Sequence, residues 1–194
     1  MSGLLALDRS VFLILNGRWV HPWLDRFFPF LTNLDHFSVA LAAVWIALLA
    51  FGRARGRRAG LLLALALILS DQAVNEILKP WIGRARPCVA VEEARVLVDF
   101  ARSPSFPSSH AANITAAMAV LGFFYRKMAA VCLVIAFLVG YSRIYVGVHY
   151  PLDVLAGSFI GAGAAAVALA AGPWIESAPG WARARLRARL GRML

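Results

Sequence analysis

The chain has 194 residues, 61% of them hydrophobic, with a mean hydropathy of +0.70. A soluble domain of this length carries more charge and less Ala and Leu, so the composition points to an integral membrane protein. The formal charge of +10 then belongs with the cytoplasmic side. No aromatic-basic surface or nucleic-acid motif accompanies it, so nucleic acid is not expected as a partner.

Taken in chain order, the opening MSGLLALDRSVFLILNG places Asp8 and Arg9 where a signal peptide would be apolar. No cleavable signal is expected. Arg9, Arg18, Asp25 and Arg26 interrupt the apolar runs of residues 4–33, so residues 1–35 read as two short helices lying in the membrane interface. Residues 37–52 form a short uncharged span. Residues 59–78 begin purely apolar and then acquire Asp71, Gln72, Asn75 and Glu76. Spans 109–124 and 128–143 follow, and the Ala- and Gly-rich 152–172 is the last. Each is near the ~20 residues that cross hydrocarbon. The reading is an all-α transmembrane bundle of five to six spans, with its core at 36–175 and a basic cytoplasmic tail at 176–194. Trp19, Trp23, Trp81, Trp174 and Trp181 fall near segment ends, as an aromatic belt requires. Cys88 in a loop and Cys132 in an apolar run do not look like a disulfide pair. Gly157 and Gly161 suit close helix packing within the bundle.

Charge sets the orientation. RARGRR (53–58), Arg126-Lys127 and the tail at 182–192 share one side, with eleven basic residues. The 79–108 loop and the 143–151 turn lie opposite, with six basic and three acidic residues. The positive-inside rule places the eleven in the cytoplasm and the long loop outside. The Arg-rich tail then leans on anionic headgroups.

This topology gathers polar groups that sequence keeps far apart. Lys79 ends one helix and His110 opens the next; Arg143 ends another, and His149 and Asp153 open the last. KPWIGRARP adds Arg84 and Arg86 to that face, and FPSSH adds Ser108 and Ser109. Cations beside N–H groups at a helix N-terminus suit phosphate. Two histidines there can supply a nucleophile and a proton donor. Taken alone, His149 beside Tyr and Pro at a helix start would be a capping residue, and Asp153 a partner of the helix dipole. His21 and His36 lack such company and read as interfacial. Asp71 and Glu76 stay open. Glu76 can pair with Lys79 three residues on, or the two carboxylates can orient Lys79 or Arg86.

Lys79, six residues, Arg86-Pro87; then Pro107-Ser108-Ser109-His110; then Ser142-Arg143, five residues, His149, three residues, Asp153. In order and spacing this resembles the three-part signature of the type 2 phosphatidic acid phosphatase superfamily of membrane lipid phosphatases. The one departure is Ser109, where that family commonly has Gly. The short chain and polar N-terminal segment also look, more loosely, like the bacterial undecaprenyl diphosphate phosphatases of bacitracin resistance. The resemblance implies that His149 is the nucleophile. Asp153 one turn on accepts from one ring nitrogen and leaves the other to attack. His110 is then the general acid, while Lys79, Arg86, Arg143, Ser108 and Ser109 hold the phosphoryl group. It implies no metal or other cofactor, and no His-carboxylate cluster is left over for one.

The expected activity is removal of a terminal phosphate from a lipid at the outer face of a cell membrane. The expected partners are a lipid phosphate substrate and membrane lipids. Undecaprenyl diphosphate leads, followed by phosphatidylglycerol phosphate, phosphatidate and lipid A phosphates. The competing classes are a lipid phosphotransferase and a lipid-phosphate binding or transport protein. Binding alone has no need of two histidines. Arg84, outside the signature, is read either as a lipid-headgroup contact or as the cation for the second phosphate of a diphosphate.

Overall fold

The computed structural model describes residues 2–99 and 102–177, and among these every regular element is helical. α1 (Ser2–Leu13) runs through a π-helical turn into the loop before α2 (Pro22–Thr32). His21 caps α2 by accepting from Trp23 N at 3.2 Å, with Pro22 in the first turn where no N–H is needed. α3 (Ser38–Phe51) and α4 (Arg53–Asp71) meet at Gly52. α4 continues through π-helical Gln72–Leu78 into a last turn, α5 (Lys79–Ile82), which ends at Gly83 with φ +62°. The helix expected over 59–78 thus begins earlier, at Arg53, and the arginines of RARGRR ride on its first turns rather than in a loop. After the short α6 (Pro87–Ala90) come α7 (Ser109–Phe124), α8 (Ala129–Tyr145) and α9 (Pro151–Ser177).

Three helical stretches, Arg53–Ala90, Arg126–Tyr145 and Pro151–Pro173, are long and apolar enough to cross a membrane. Ser38–Phe51 and Ser109–Phe124 are apolar but shorter. At their centre α4, α7 and α9 meet on small and medium side chains: Leu62, Leu63, Ala66, Ala116, Val120, Ala165 and Ala168. The approach is close because glycine permits it. A Cβ on Gly161 would sit 2.0 Å from the Ala112 carbonyl oxygen, and one on Gly157 2.4 Å from that of Ser108. Both glycines serve packing within the bundle, as their sequence context suggests.

The two N-terminal helices close one end of the bundle. Phe12 packs with Val91, Ala111, Ile144, Tyr150 and Val154, and Phe28 packs with Tyr145, Val146 and Val148. Fully buried Asn16 holds the junction: its amide donates to the Arg95 and Tyr145 carbonyls at 2.9 and 2.8 Å and accepts from Arg95 N at 2.8 Å. An interfacial position alone does not describe these helices, since part of their apolar surface is buried against protein. Trp19, Trp23 and Trp81 are exposed; the side chains of Trp174 and Trp181 lie outside the described residues, as does the tail beyond 177. Cys88 and Cys132 are free thiols.

Candidate active site

The site forms where three helix ends meet. Ser108 N donates to the Asp153 carbonyl at 3.0 Å, joining the start of α7 to the start of α9. The turn between α8 and α9 folds back on α8, with Val148 N and His149 N both donating to Arg143 O at 3.2 Å. Gly147, at φ +87°, makes that turn possible; a Cβ there would lie 2.2 Å from the Arg95 carbonyl oxygen. A cavity of about 890 Å³ opens over this junction. Lys79, Arg86, Ser109, His110, Arg143 and His149 all line it.

His149 is 1% exposed. Its Nε2 lies 3.2 Å from Arg86 Nη1. A guanidinium only donates, so Nε2 must be the acceptor and the ring proton sits on Nδ1. Nδ1 faces Asp153 Oδ2 at 3.5 Å, an ion-pair approach longer than a hydrogen bond, which leaves this buried nitrogen without a close partner. Burial pushes the His149 pKa down to about 4. Asp153 pulls it up, and the charges of Arg143 and Arg86 push it further down. The ring is therefore neutral at physiological pH, with its lone pair held beside a fixed cation.

Arg86 is anchored by Nε and Nη2 to Ser103 O and Oγ at 2.8 and 3.1 Å, and by Nη1 to Val148 O at 3.2 Å. Arg143 donates through Nη1 to Thr32 Oγ1 of α2, while its buried Nε has no partner among the described residues. Lys79 Nζ donates to Ser109 Oγ at 2.6 Å, and Ser109 donates to Asn75 Oδ1 at 2.8 Å. Asn75 and Asn113 both donate to Asp71 Oδ1, at 2.7 and 3.2 Å. Asp71 thus anchors the chain that positions Lys79 and Ser109. Glu76, by contrast, is exposed, and Lys79 turns to Ser109 instead of pairing with it.

Two further expectations change. Ser108 is fully buried, and its hydroxyl caps α7 by accepting from Ala111 N at 3.4 Å. Its hydroxyl serves the helix cap, and Ser108 is not among the residues that line the cavity. Ser109 stays in right-handed helical conformation, as Arg53 is the one described non-glycine residue with positive φ; Ser in place of Gly brings no backbone strain. Arg84 is not a free cation. Its Nη1 donates to Asp153 Oδ1 at 2.7 Å and its Nη2 to Asp8 Oδ2 at 2.6 Å. In the extended Arg84–Arg86 stretch both side chains reach the site, but on opposite sides of the His149–Asp153 pair.

Sequence reading missed Asp8, Thr32, Asn33, Asp35, Asp99 and Ser103. Thr32 ends α2, and the last four come from the α2–α3 connection and the long loop, where polar residues are ordinary and carry no signal. Asp8 did carry one, being a carboxylate within an apolar helix. His36, read as interfacial, is exposed, stacks on Phe30 and also lines the cavity.

The PAP2 superfamily matches residues 59–176 of the chain. Phosphatidylglycerophosphatase B of Bacillus subtilis (strain 168) is 35% identical over 153 residues, 72% of this chain and 71% of that protein. Undecaprenyl-diphosphatase BcrC of the same organism is 32% identical over 150 residues, 77% of this chain and 76% of that one. Among solved structures, Aquifex aeolicus LpxE superposes with a TM-score of 0.73 at 32% identity, covering 84% of this chain and 94% of its own.

Proposed function

The chain belongs to the PAP2 superfamily, and from that premise we propose that this membrane phosphatase removes the terminal phosphate of a lipid through a phosphohistidine on His149. The observation that carries the proposal is the His149 ring, whose tautomer Arg86 dictates: Arg86 Nη1 holds the Nε2 lone pair at 3.2 Å at the edge of a cavity lined by Lys79, Arg86, Arg143 and His149 itself, and a phosphoryl oxygen that takes over this guanidinium N–H frees Nε2. Nε2 attacks phosphorus as the bond from phosphorus to the lipid oxygen breaks. His110 gives its proton to that oxygen. Water then attacks the phosphohistidine, His110 takes a proton back, and phosphate leaves. The three cations neutralise the equatorial oxygens, and the unpartnered Arg143 Nε is a donor ready for one of them. Asp153 draws closer to Nδ1 as the ring becomes positively charged.

The site works at the outer membrane face. Arg55 Nη2 donates to Phe124 O, which brings the α3–α4 and α7–α8 connections together with their basic residues at the end of the bundle away from His149. The positive-inside rule puts that end in the cytoplasm. Undecaprenyl diphosphate is the leading substrate, supported by the likeness to undecaprenyl-diphosphatase BcrC. Phosphatidylglycerol phosphate is the second reading, supported by the likeness to phosphatidylglycerophosphatase B and by Asn33, Asp35 and His36 in the cavity wall, which can receive glycerol hydroxyls. The deciding experiment incubates purified protein with these lipids, phosphatidate and lipid A phosphates, with chelator present, and measures free phosphate. Radiolabelled substrate should leave acid-labile label on His149. Transfer to a second lipid without free phosphate supports a phosphotransferase, and no turnover of any lipid removes the enzymatic reading.

A further inference from the structure

Arg84 and Asp8 lie outside the three-part signature, yet they form a closed charge cluster with Asp153. We infer that Asp8 and Arg84 are positioning residues for the reaction, together setting the orientation and net charge that Asp153 presents to His149. This rests on the reading of His149 as the nucleophile.

All four carboxylate oxygens are committed. Asp153 Oδ1 accepts from Arg84, and its Oδ2 accepts from Tyr150 N at 2.9 Å while facing His149. Asp8 Oδ2 accepts from Arg84, and its Oδ1 accepts from Leu152 N at 2.9 Å. The side chains of Asp8 and Asp153 are 1% and 0% exposed, and that of Arg84 is 18% exposed. Arg84 also lies over the Tyr150 ring at 3.9 Å, which fixes the plane of its fork. The fork holds the Asp153 carboxylate so that only Oδ2 is turned to the imidazole.

Charge gives Asp8 its part. Were Arg84 to pair with Asp153 alone, the pair would be neutral and could do little for an imidazole becoming cationic. With Asp8 present, one guanidinium serves two carboxylates and the cluster keeps a net charge of −1. That matches the single positive charge His149 acquires when Nε2 bonds to phosphorus. The other charged and titratable groups around His149 are Arg86 from the loop, Arg143 from α8, Lys79 and His110 across the cavity, and Asp35, His36 and Asp99 elsewhere on the cavity wall. Among the described residues Asp153 is the carboxylate within ion-pair reach of the ring, at 3.5 Å from Nδ1, so the cluster is its nearest negative counterweight.

The two residues therefore act with opposite sign. Arg84→Gln leaves a net charge of −2 beside His149, which favours its protonated form. Asp8→Asn leaves zero, which disfavours it. The double variant returns to −1. The test uses the purified full-length chain in detergent, dioctanoyl phosphatidate as substrate, and imidazole nitrogen NMR for the His149 protonation state, assigned by His149→Gln. Arg84→Gln should move the acid limb of kcat/KM and the His149 titration up by about one pH unit, with kcat reduced ~10- to 100-fold and KM little changed. Asp8→Asn should move the titration down from about 4 and also reduce kcat. The double variant should titrate nearer wild type than either single one does.

Shifts in the same direction, no shifts, or losses that simply add in the double variant overturn the inference and leave a structural tie. If Arg84→Gln cannot be recovered folded, Asp8→Asn decides by itself, a downward titration supporting and an unmoved one overturning. The NMR arm needs no substrate. A wild type inert on every lipid would count against the phosphatase reading, while the titrations would still decide the cluster.

Discussion

Gly161→Ala and Gly163→Ala make a matched pair that tests how closely the α7–α9 contact governs the site. Both positions lie within α9, where Gly→Ala alone favours the helix by ~1 kcal/mol. A Cβ at 163 meets nothing within 4 Å, whereas at 161 it would stand 2.0 Å from the Ala112 carbonyl oxygen, 2.9 Å from its carbon and 3.0 Å from Ala116 N. Real Cβ contacts stay beyond 3.0 Å, so the two helices must part by roughly 1 Å, against backbone that has no rotamer to change. Overpacking of this kind costs ~1–3 kcal/mol or more, which outweighs the propensity gain. α7 carries His110 and α9 carries Asp153, so the same displacement falls on the reacting groups, where ~1 Å can cost about 10²-fold. Thermal unfolding in detergent and phosphate release are the assays. Gly163→Ala should be unchanged or slightly stabilised and fully active, and Gly161→Ala should be destabilised and slower. A Gly161→Ala protein as stable and active as Gly163→Ala would refute the reasoning.

His110→Ala should slow turnover on the order of 10²–10⁴-fold, with a p-nitrophenolate leaving group restoring part of it. His149→Ala should show no such rescue, and equal rescue of both would reverse the roles. Asn16→Ala removes three hydrogen bonds and strands buried partners on Arg95 and Tyr145, costing about 3 kcal/mol in a detergent melt; a loss below ~1 kcal/mol would mean that the N-terminal helices are held elsewhere. His149 titrates near 6.5 when unfolded and about 4 when folded. Between those values the unfolded chain binds the proton first. Its stabilising contribution is complete above the unfolded value and fades as pH falls through the folded one. The melting temperature should therefore fall from pH ~6.5 downward, and less steeply in His149→Gln; parallel curves would show that the burial is not felt.

Sequence by itself determined the helical membrane class, because apolar runs of spanning length leave the backbone few alternatives in lipid. It also placed Lys79, Arg86, Ser109, His110, Arg143, His149 and Asp153 at one face, since helix ends alternate between two sides and the spacing says which residues terminate helices together. The partners of the residues around that set were decided only in three dimensions. Arg84 offered no local sign of whether it would meet lipid, phosphate or protein; its partners, Asp8 and Asp153, are 76 and 69 positions away. Ser108 and Ser109 are adjacent and alike, yet one caps a helix and the other lines the cavity, a difference set by the 100° between neighbours on a helix start and by what packs against it. Asp71 became legible only when π-helical Gln72–Leu78 turned Asn75 toward α7. Periodicity and charge are written along the chain, but which oxygen answers which nitrogen depends on how closely glycine lets the helices approach.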